Sequence, residues 1–183
     1  MTPLVVTTFL ALLVLIAAIG AIGLVILAVA SRGSEAAAGL LDGLRASIGP
    51  AGLWLAFIVS LVAVLGSLHL SEIVGFVPCT LCWYQRIAMY PLVLLLGIAA
   101  VRTDTAIRRY AVPLASIGGL ISAYHVAVQR LPGLPSGSCS LDVPCSAIYV
   151  ERFGFVTIPV MALVGFVSIL VILTLLVPRS LEP

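Results

Sequence analysis

The sequence predicts an all-α polytopic membrane protein, and two observations carry this fold class. First, 62% of the 183 residues are hydrophobic and only 9% are charged, whereas about 25% of the residues in a soluble domain are charged. Such a chain has too little polar surface to cover its apolar residues in water. Second, five continuous apolar stretches are each long enough for a helix to cross the hydrocarbon core, which takes about 20 residues: 3–30, 51–70, 79–101, 110–129 and 155–177.

The five stretches are predicted to be helices, because their apolar residues do not alternate with polar ones as they do in barrel strands. Proline occurs in the last three stretches, and membrane helices tolerate it. We expect residues 51–183 to form a four-helix bundle domain. Residues 1–50 are expected to add one N-terminal transmembrane helix and a segment at the membrane surface.

The first apolar stretch has a second interpretation as a cleaved signal peptide, because Ala28-Val29-Ala30 has the small residues of a signal-peptidase site. No positively charged residue precedes the stretch, and it is longer than the roughly 7–15 residues of a signal-peptide core, so a retained helix is favoured. The following residues, 34–48, form either a short helix on the membrane surface or a polar loop. A helix would align four apolar side chains on one face: Leu40, Leu41, Leu44 and Ile48.

Arginine placement predicts how the chain is oriented. All nine positively charged residues are arginines, and positive charges are retained on the cytoplasmic side of a membrane. Six of them fall on one side of the five-helix arrangement: Arg32, Arg45, Arg102, Arg108, Arg109 and Arg179. We therefore expect an extracytoplasmic N-terminus and a cytoplasmic C-terminus, which places segments 71–78 and 131–156 outside with all four cysteines. A net charge of +2 without a basic run argues against nucleic-acid binding.

The four cysteines form two pairs, Cys79-Thr-Leu-Cys82 and Cys139 with Cys145. An even number of cysteines on an extracytoplasmic face indicates disulfides. The spacing alone leaves three interpretations open: structural disulfides, redox-active disulfides, or a zinc site with four thiolates. The position of the first pair favours redox chemistry, because the unpaired N–H groups and the positive dipole end of a helix N-terminus stabilise a thiolate.

Two further polar residues lie near the predicted redox end of the bundle. Arg86 is one turn beyond Cys82 on the same helical face, where an arginine is costly in a membrane unless it has a partner or a function. It either extends back to the interface, or stabilises a thiolate or a carbonyl oxygen of a lipid-soluble electron acceptor. His125 lies near the outer end of the fourth helix with Gln129 one turn beyond it, and an interfacial histidine is the simpler interpretation.

The run Val77-Pro-Cys-Thr-Leu-Cys-Trp-Tyr-Gln-Arg-Ile87 resembles the signature of the DsbB family of disulfide-bond-formation membrane proteins, most closely its BdbC-like branch. The resemblance extends from near Ser67 to Phe166 and includes the segment Phe153-Gly-Phe-Val-Thr-Ile-Pro159. It implies a four-helix thiol:quinone oxidoreductase of the bacterial inner membrane. Such an enzyme reoxidises a DsbA-like thioredoxin-fold protein and passes the electrons to ubiquinone or menaquinone.

The resemblance also implies a role for each candidate site residue. Cys139 corresponds to the cysteine that forms a mixed disulfide with the partner, and Cys145 to the one that then attacks Cys79. Cys82 corresponds to the cysteine that transfers electrons to quinone. As quinone-binding residues, the resemblance implies Arg86 and His125, and it implies no metal.

The loop between the fourth and fifth helices, Leu131-Pro-Gly-Leu-Pro-Ser-Gly-Ser-Cys139, is rich in proline and small residues and is predicted to be mobile. Mobility would let Cys145 move between its own partner and Cys79. Two features depart from the family pattern. The N-terminal helix has no counterpart in it, and the loop cysteines are closer together than in the best-known members, which leaves the order of exchange open.

Two other functions compete with this one. A vitamin K epoxide reductase-like enzyme also couples a membrane C-x-x-C pair to quinone, but that pair lies near the end of a late helix and after the loop pair. A non-catalytic membrane scaffold would use the cysteines as structural disulfides. The sequence predicts neither the oligomeric state nor the identity of the quinone and the partner.

Overall fold

The computed structural model describes residues 3–131, 134, 139 and 142–177. The described residues form six α-helices: α1 (Pro3–Ala30), α2 (Glu35–Ile48), α3 (Gly52–Leu68), α4 (Thr80–Arg102), α5 (Arg108–Arg130) and α6 (Ile158–Val171). Wider π-helical turns continue α3 and α6 over His69–Ile73 and Ile172–Leu176. Short 3₁₀ turns precede α3 and α5 at Gly49–Ala51 and Thr105–Ile107. Two short strands, β1 (Glu151–Arg152) and β2 (Val156–Thr157), pair as an antiparallel hairpin.

Five helical segments of the described chain are long and apolar enough to cross a membrane, which confirms the predicted polytopic all-α fold. The first predicted stretch matches α1 at both ends. The last predicted stretch begins too early, because α6 starts at Ile158 rather than at residue 155. The intervening Val156 and Thr157 pair with the other strand of the hairpin. So short a strand has no periodicity that the sequence could reveal.

The helices α3, α4, α5 and α6 pack around one apolar core, whose fully buried side chains include Leu92, Leu96, Phe166 and Ile169. α5 and α6 approach closely at Gly118, where a Cβ atom would collide with the Phe166 ring. Small residues allow such close packing between membrane helices. α1 packs against α6 and contacts α3, where the Leu10 side chain lies against Gly66. The division into a 51–183 domain and a 1–50 extension stays a prediction.

Arginine side chains connect neighbouring elements at both ends of the bundle. Arg45 of α2 and Arg108 of α5 each donate a 2.9 Å hydrogen bond to a carbonyl oxygen at the C-terminal end of the last helix. At the other end of α5, Arg130 forms a 3.1 Å ion pair with Glu151 of the hairpin. The same end of the bundle therefore holds the first loop, the third loop and the end of the last helix, as the predicted orientation requires. Arg179 lies outside the described residues, and the side of the membrane stays a prediction.

The segment after α1 is helical, which confirms one of the two interpretations of residues 34–48. Ser34 caps α2 by accepting a 3.4 Å hydrogen bond from the Ala37 backbone N–H. Of the side chains predicted on one apolar face, Leu41 is buried and Leu40 is exposed. The described protein therefore covers only part of that face.

Candidate redox site

The first cysteine pair lies at the N-terminus of α4. Cys79 is the N-cap residue with an extended backbone, and its Sγ accepts a 3.3 Å hydrogen bond from the Cys82 backbone N–H. The sulfur takes the place of the side-chain oxygen that usually caps a helix. Both cysteines are free thiols, and their sulfur atoms lie 2.9 Å apart. The two sulfurs are therefore close enough for oxidation to join them in a disulfide.

The Cys79 thiol precedes the membrane-spanning part of α4, and its pKa lies well below the usual value. The main cause is the hydrogen bond that the Cys82 thiol donates to it, and hydrogen bonds from His125 and from the Cys82 backbone N–H act in the same direction. Burial opposes them, because it disfavours a charged sulfur. The hydrogen bonds outweigh burial, so Cys79 carries the negative charge of the reduced pair at neutral pH.

The second cysteine pair is joined by a disulfide between Cys139 and Cys145. Cys145 is 1% exposed and packs in one apolar cluster with Cys79, whereas Cys139 is half-buried. All four cysteines therefore meet at one end of the bundle, with the helix pair reduced and the loop pair oxidised. Most of the loop predicted to be mobile, residues 132–133 and 135–138, lies outside the described residues.

His125 of α5 lies between the two cysteine pairs. The side chain is buried, and its Nε2 lies 3.0 Å from the Cys145 carbonyl oxygen and 3.7 Å from the Cys79 Sγ. A carbonyl oxygen only accepts hydrogen bonds, so Nε2 carries a hydrogen and donates it. Nδ1 lies 3.1 Å from the Gln85 side-chain nitrogen, which donates a hydrogen bond to it. His125 thus contacts both pairs.

Gln85 was not selected by sequence reasoning. It is buried in α4, one turn after Cys82, and its side-chain amide binds the histidine that touches Cys79. Glutamine is mostly exposed in proteins. The position of Gln85 inside an apolar helix, next to a cysteine pair, is therefore the signal that marks it as a candidate site residue.

The α5 residue Gln129, one turn beyond His125, holds the loop that carries Cys145. Its side-chain nitrogen donates a 3.1 Å hydrogen bond to the Ala147 carbonyl oxygen. Its side-chain oxygen accepts a 2.9 Å hydrogen bond from the Thr157 hydroxyl. One residue of α5 therefore fixes both the loop that carries Cys145 and strand β2 of the hairpin.

Arg86 is buried rather than extended to the membrane surface, since only 9% of it is exposed. Its guanidinium donates to the Ser67 hydroxyl over 2.9 Å through Nε and to the Ser67 carbonyl oxygen over 3.0 Å through Nη2. The guanidinium carbon lies 5.2 Å from the Trp83 ring centroid, within cation–π distance. Ser67, near the end of α3, therefore supplies the hydrogen-bond acceptors that an arginine inside a membrane needs. The sequence does not show that Ser67 is this partner.

A cavity of about 290 Å³ lies beside Cys82 and Arg86, near the lower end of the roughly 300–1,000 Å³ of small-molecule sites. Cys82, Gln85 and Arg86 line it, and most of its other lining residues are apolar side chains of α1, α3, α4 and α6. His125 is not among the lining residues. A quinone needs an apolar chamber, a hydrogen-bond donor for a carbonyl oxygen and a sulfur within reach. The residues of this cavity fit those requirements.

Three potential metal-ligand atoms, from Cys79, Cys82 and His125, lie within 4.8 Å of one another. Both ring nitrogens of His125 already have hydrogen-bond partners. A zinc site with four thiolates would need the sulfurs of Cys139 and Cys145, which the disulfide occupies. The described geometry therefore favours redox chemistry over that zinc site.

These features define a class of protein, a membrane-embedded helical bundle that brings a dithiol and a disulfide together beside an apolar cavity. A family profile described as "Disulfide bond formation protein DsbB" matches residues 50–176. The chain belongs to the DsbB family of disulfide bond formation proteins, as the resemblance predicted. It is therefore a membrane redox protein of disulfide bond formation. Residues 1–49, which contain α1, precede the matched segment.

Individual relatives agree with the family. The chain is 51% identical over 126 residues to "Disulfide bond formation protein C" of Bacillus subtilis (strain 168). These aligned residues cover 68% of this chain and 91% of the relative. It is 46% identical over 130 residues to "Probable disulfide formation protein C" of Halalkalibacterium halodurans, which covers 70% of this chain and 92% of the relative. No solved structure matches the chain.

Proposed function

We propose that the chain is a thiol:quinone oxidoreductase that reoxidises an extracytoplasmic DsbA-like thioredoxin-fold protein. One observation carries the proposal: His125 contacts both Cys79 of the helix pair and Cys145 of the loop pair. A second observation supports it, because Cys82 and Arg86 line an apolar cavity. Electrons then pass from the loop pair to the helix pair and on to a lipid-soluble acceptor at one end of the bundle. The names of the relatives support the disulfide-forming half of this path.

The loop pair accepts the electrons first. A thiolate of the reduced partner attacks Cys139, the more exposed sulfur, which breaks the loop disulfide and releases Cys145 as a thiolate. Cys145 attacks Cys79 of the oxidised helix pair and releases Cys82 as a thiolate. The second thiolate of the partner resolves the mixed disulfide and releases Cys139, which attacks Cys145 and releases Cys79. The loop disulfide is restored, and the helix pair holds both electrons.

His125 and the N-terminus of α4 assist these exchanges. The Nε2–H of His125 holds the Cys145 backbone close to Cys79. The N–H groups at the start of α4 stabilise Cys79 as a leaving thiolate. Exchange is faster when the leaving sulfur has a lower pKa. In this proposal His125 positions Cys145 and stabilises Cys79, whereas the resemblance implied a contact with quinone.

The cavity is proposed to bind quinone. Quinone accepts two electrons and two protons, so the helix pair returns to its disulfide form. Ser67 holds the Arg86 guanidinium in place, so that Arg86 donates a hydrogen bond to a carbonyl oxygen of the ligand. Cys82 lies one turn away on the same wall. The apolar lining excludes water from the sulfur.

The test uses the purified protein, a reduced DsbA-like protein and a water-soluble quinone, whose absorbance reports its reduction. The native chain is expected to reduce quinone only when the dithiol protein is present. Cys82→Ser should abolish turnover, because the helix pair can no longer form a disulfide. Ser116→Ala is the control, because the Ser116 hydroxyl bonds the Val112 carbonyl oxygen of its own helix and is not part of the cavity lining. Unchanged turnover in Cys82→Ser would contradict the mechanism.

A further inference from the structure

The cavity contains a polar group that the proposed function does not use. Tyr90 lies one turn beyond Arg86 on α4 and lines the same cavity. Its hydroxyl is buried and has no hydrogen-bond partner among the described residues. Leaving a buried hydroxyl unpaired is costly, which indicates a partner that comes from a ligand.

We propose that Tyr90 donates a hydrogen bond to the second carbonyl oxygen of a para-quinone whose first carbonyl oxygen is bound by Arg86. This inference rests on the proposed function. Tyr90 lies four residues after Arg86, so both side chains are on the same face of α4, and both line the cavity. The two carbonyl oxygens of a para-quinone lie on opposite sides of its ring. A ring held between the two side chains would therefore accept a hydrogen bond at each oxygen.

Tyr90→Phe tests this role, because it removes the hydroxyl and keeps the ring. Without quinone, the variant should be at least as stable as the native chain, because the hydroxyl loses no partner. The KM for quinone should rise about 3- to 10-fold, as expected for the loss of one neutral hydrogen bond. The rate of disulfide exchange with the reduced DsbA-like protein, measured without quinone, should not change.

Ser168→Ala is a matched control, because the Ser168 hydroxyl is also buried without a partner among the described residues but does not line the cavity. It should leave the KM for quinone unchanged. If the native chain reduces quinone and Tyr90→Phe has an unchanged KM, the role of Tyr90 is overturned and the proposed function stands. If the native chain reduces no quinone, the proposed function itself is overturned.

A second inference concerns α1 and has a different basis. Four α1 residues line the cavity, and their i, i+3, i+4, i+7 spacing places them on one helical face: Leu10, Leu13, Val14 and Ala17. α1 precedes the segment matched by the family profile. This wall of the cavity is therefore formed by residues that lie outside the segment matched by the family profile.

The N-terminal helix is attached to the redox end of the bundle. The buried Thr7 hydroxyl accepts hydrogen bonds of 3.1 and 2.8 Å from the Arg152 guanidinium of the hairpin, and Leu10 packs against Gly66 of α3. We infer that α1 closes the lipid-facing side of the proposed quinone site and packs against the isoprenoid tail of a bound quinone. The four wall residues are all apolar, as contact with a hydrocarbon tail requires.

Leu13→Trp and Ile16→Trp test the role of α1 as a matched pair. Leu13 lines the cavity, whereas Ile16 is exposed and does not line it. Leu13→Trp should raise the KM for a long-tailed quinone about 5- to 10-fold by overfilling the wall, and should raise the KM for a tail-less quinone less. Ile16→Trp should change neither value.

Ala17→Leu is a milder second variant on the same wall, in case Leu13→Trp does not fold, and the same pattern is expected from it. If the native chain reduces quinone but the wall variants keep its KM, or change it no more than Ile16→Trp does, the role of α1 is overturned. The proposed function would survive that result.

Discussion

His125 makes two contacts that link the cysteine pairs at the scale of single residues. Its Nε2–H binds the Cys145 carbonyl oxygen beside Cys79, and Gln85 binds Nδ1 from the other side. His125 therefore joins the backbone of the loop pair to the thiol of the helix pair, and Gln85 fixes the orientation of its ring.

The pKa of Cys79 is predicted to depend more on Cys82 than on His125. In a chain whose loop cysteines are both replaced by serine, Cys82→Ala should raise this pKa more than His125→Phe, because the hydrogen bond from Cys82 is the largest cause of its low value. With both partners present, the thiolate persists at neutral pH and is lost only as the pH falls through the lowered pKa. A titration of the thiolate ultraviolet absorbance measures these values. The reverse order would contradict the assignment of Cys79 as the charged sulfur.

Arg86→Ala is predicted to weaken the use of quinone and to leave exchange with the dithiol protein intact. The KM for quinone should rise about 10- to 100-fold, the range expected for a hydrogen bond from a charged group. Arg86→Lys should recover little, because an ammonium group cannot reproduce the two-pronged contact with Ser67. Steady-state kinetics with quinone and single-turnover exchange without it separate the two steps. Equal loss in both steps would show that Arg86 acts elsewhere.

At the scale of elements, the redox end depends on how α5 and α6 meet. α5 carries His125 and Gln129, while the hairpin that Gln129 holds leads directly into α6. The two helices approach each other at Gly118, which lies against the Phe166 ring. A larger residue there would push α6 away from the helix that carries the histidine.

Gly118→Ala is predicted to destabilise the protein by about 1–3 kcal/mol, because its Cβ would overlap the Phe166 ring in a packed core. Gly119→Ala is the matched control, since its Cβ would lie at an ordinary 3.7 Å from the Phe166 Cβ. Both changes gain the same helix propensity, so only the overlap differs. Thermal unfolding in detergent compares them, and equal stabilities would mean that the ring moves aside at no cost.

At the scale of the whole molecule, the bundle has two chemically different ends. The cysteines and the hairpin gather at one end, while Arg45 and Arg108 bind the C-terminal end of the last helix at the other. Because positive charges stay in the cytoplasm, the cysteine end is predicted to be extracytoplasmic. A DsbA-like partner could then reach Cys139.

Labelling with a membrane-impermeant thiol reagent tests this orientation in a chain that lacks the native cysteines. Glu72→Cys, near the redox end, should react in intact cells. Thr103→Cys, between α4 and α5, should react only after the membrane is permeabilised. Both native side chains are exposed in the described protein, so exposure alone does not explain a difference. The opposite labelling pattern would reverse the orientation.

Much of the site was predictable where its residues share one helix. Cys79, Cys82 and Arg86 follow one another along the start of α4, so their proximity follows from helical spacing alone. Ser67 and His125 belong to other helices, and only the packing of α3 and α5 against α4 brings them to Arg86 and Cys79. The hairpin was missed because its strands are too short for a detectable pattern.

The sequence by itself determined that this chain forms five membrane-crossing helices and that a cysteine pair begins the third of them. Those features depend on apolar length and on the order of neighbouring residues, which are local. Only the tertiary structure decided that His125 contacts both cysteine pairs, that the Tyr90 hydroxyl is buried without a partner among the described residues, and that α1 walls the cavity. These depend on which helix faces meet. In long apolar helices nearly every face is apolar, so the hydrophobic pattern does not select among them.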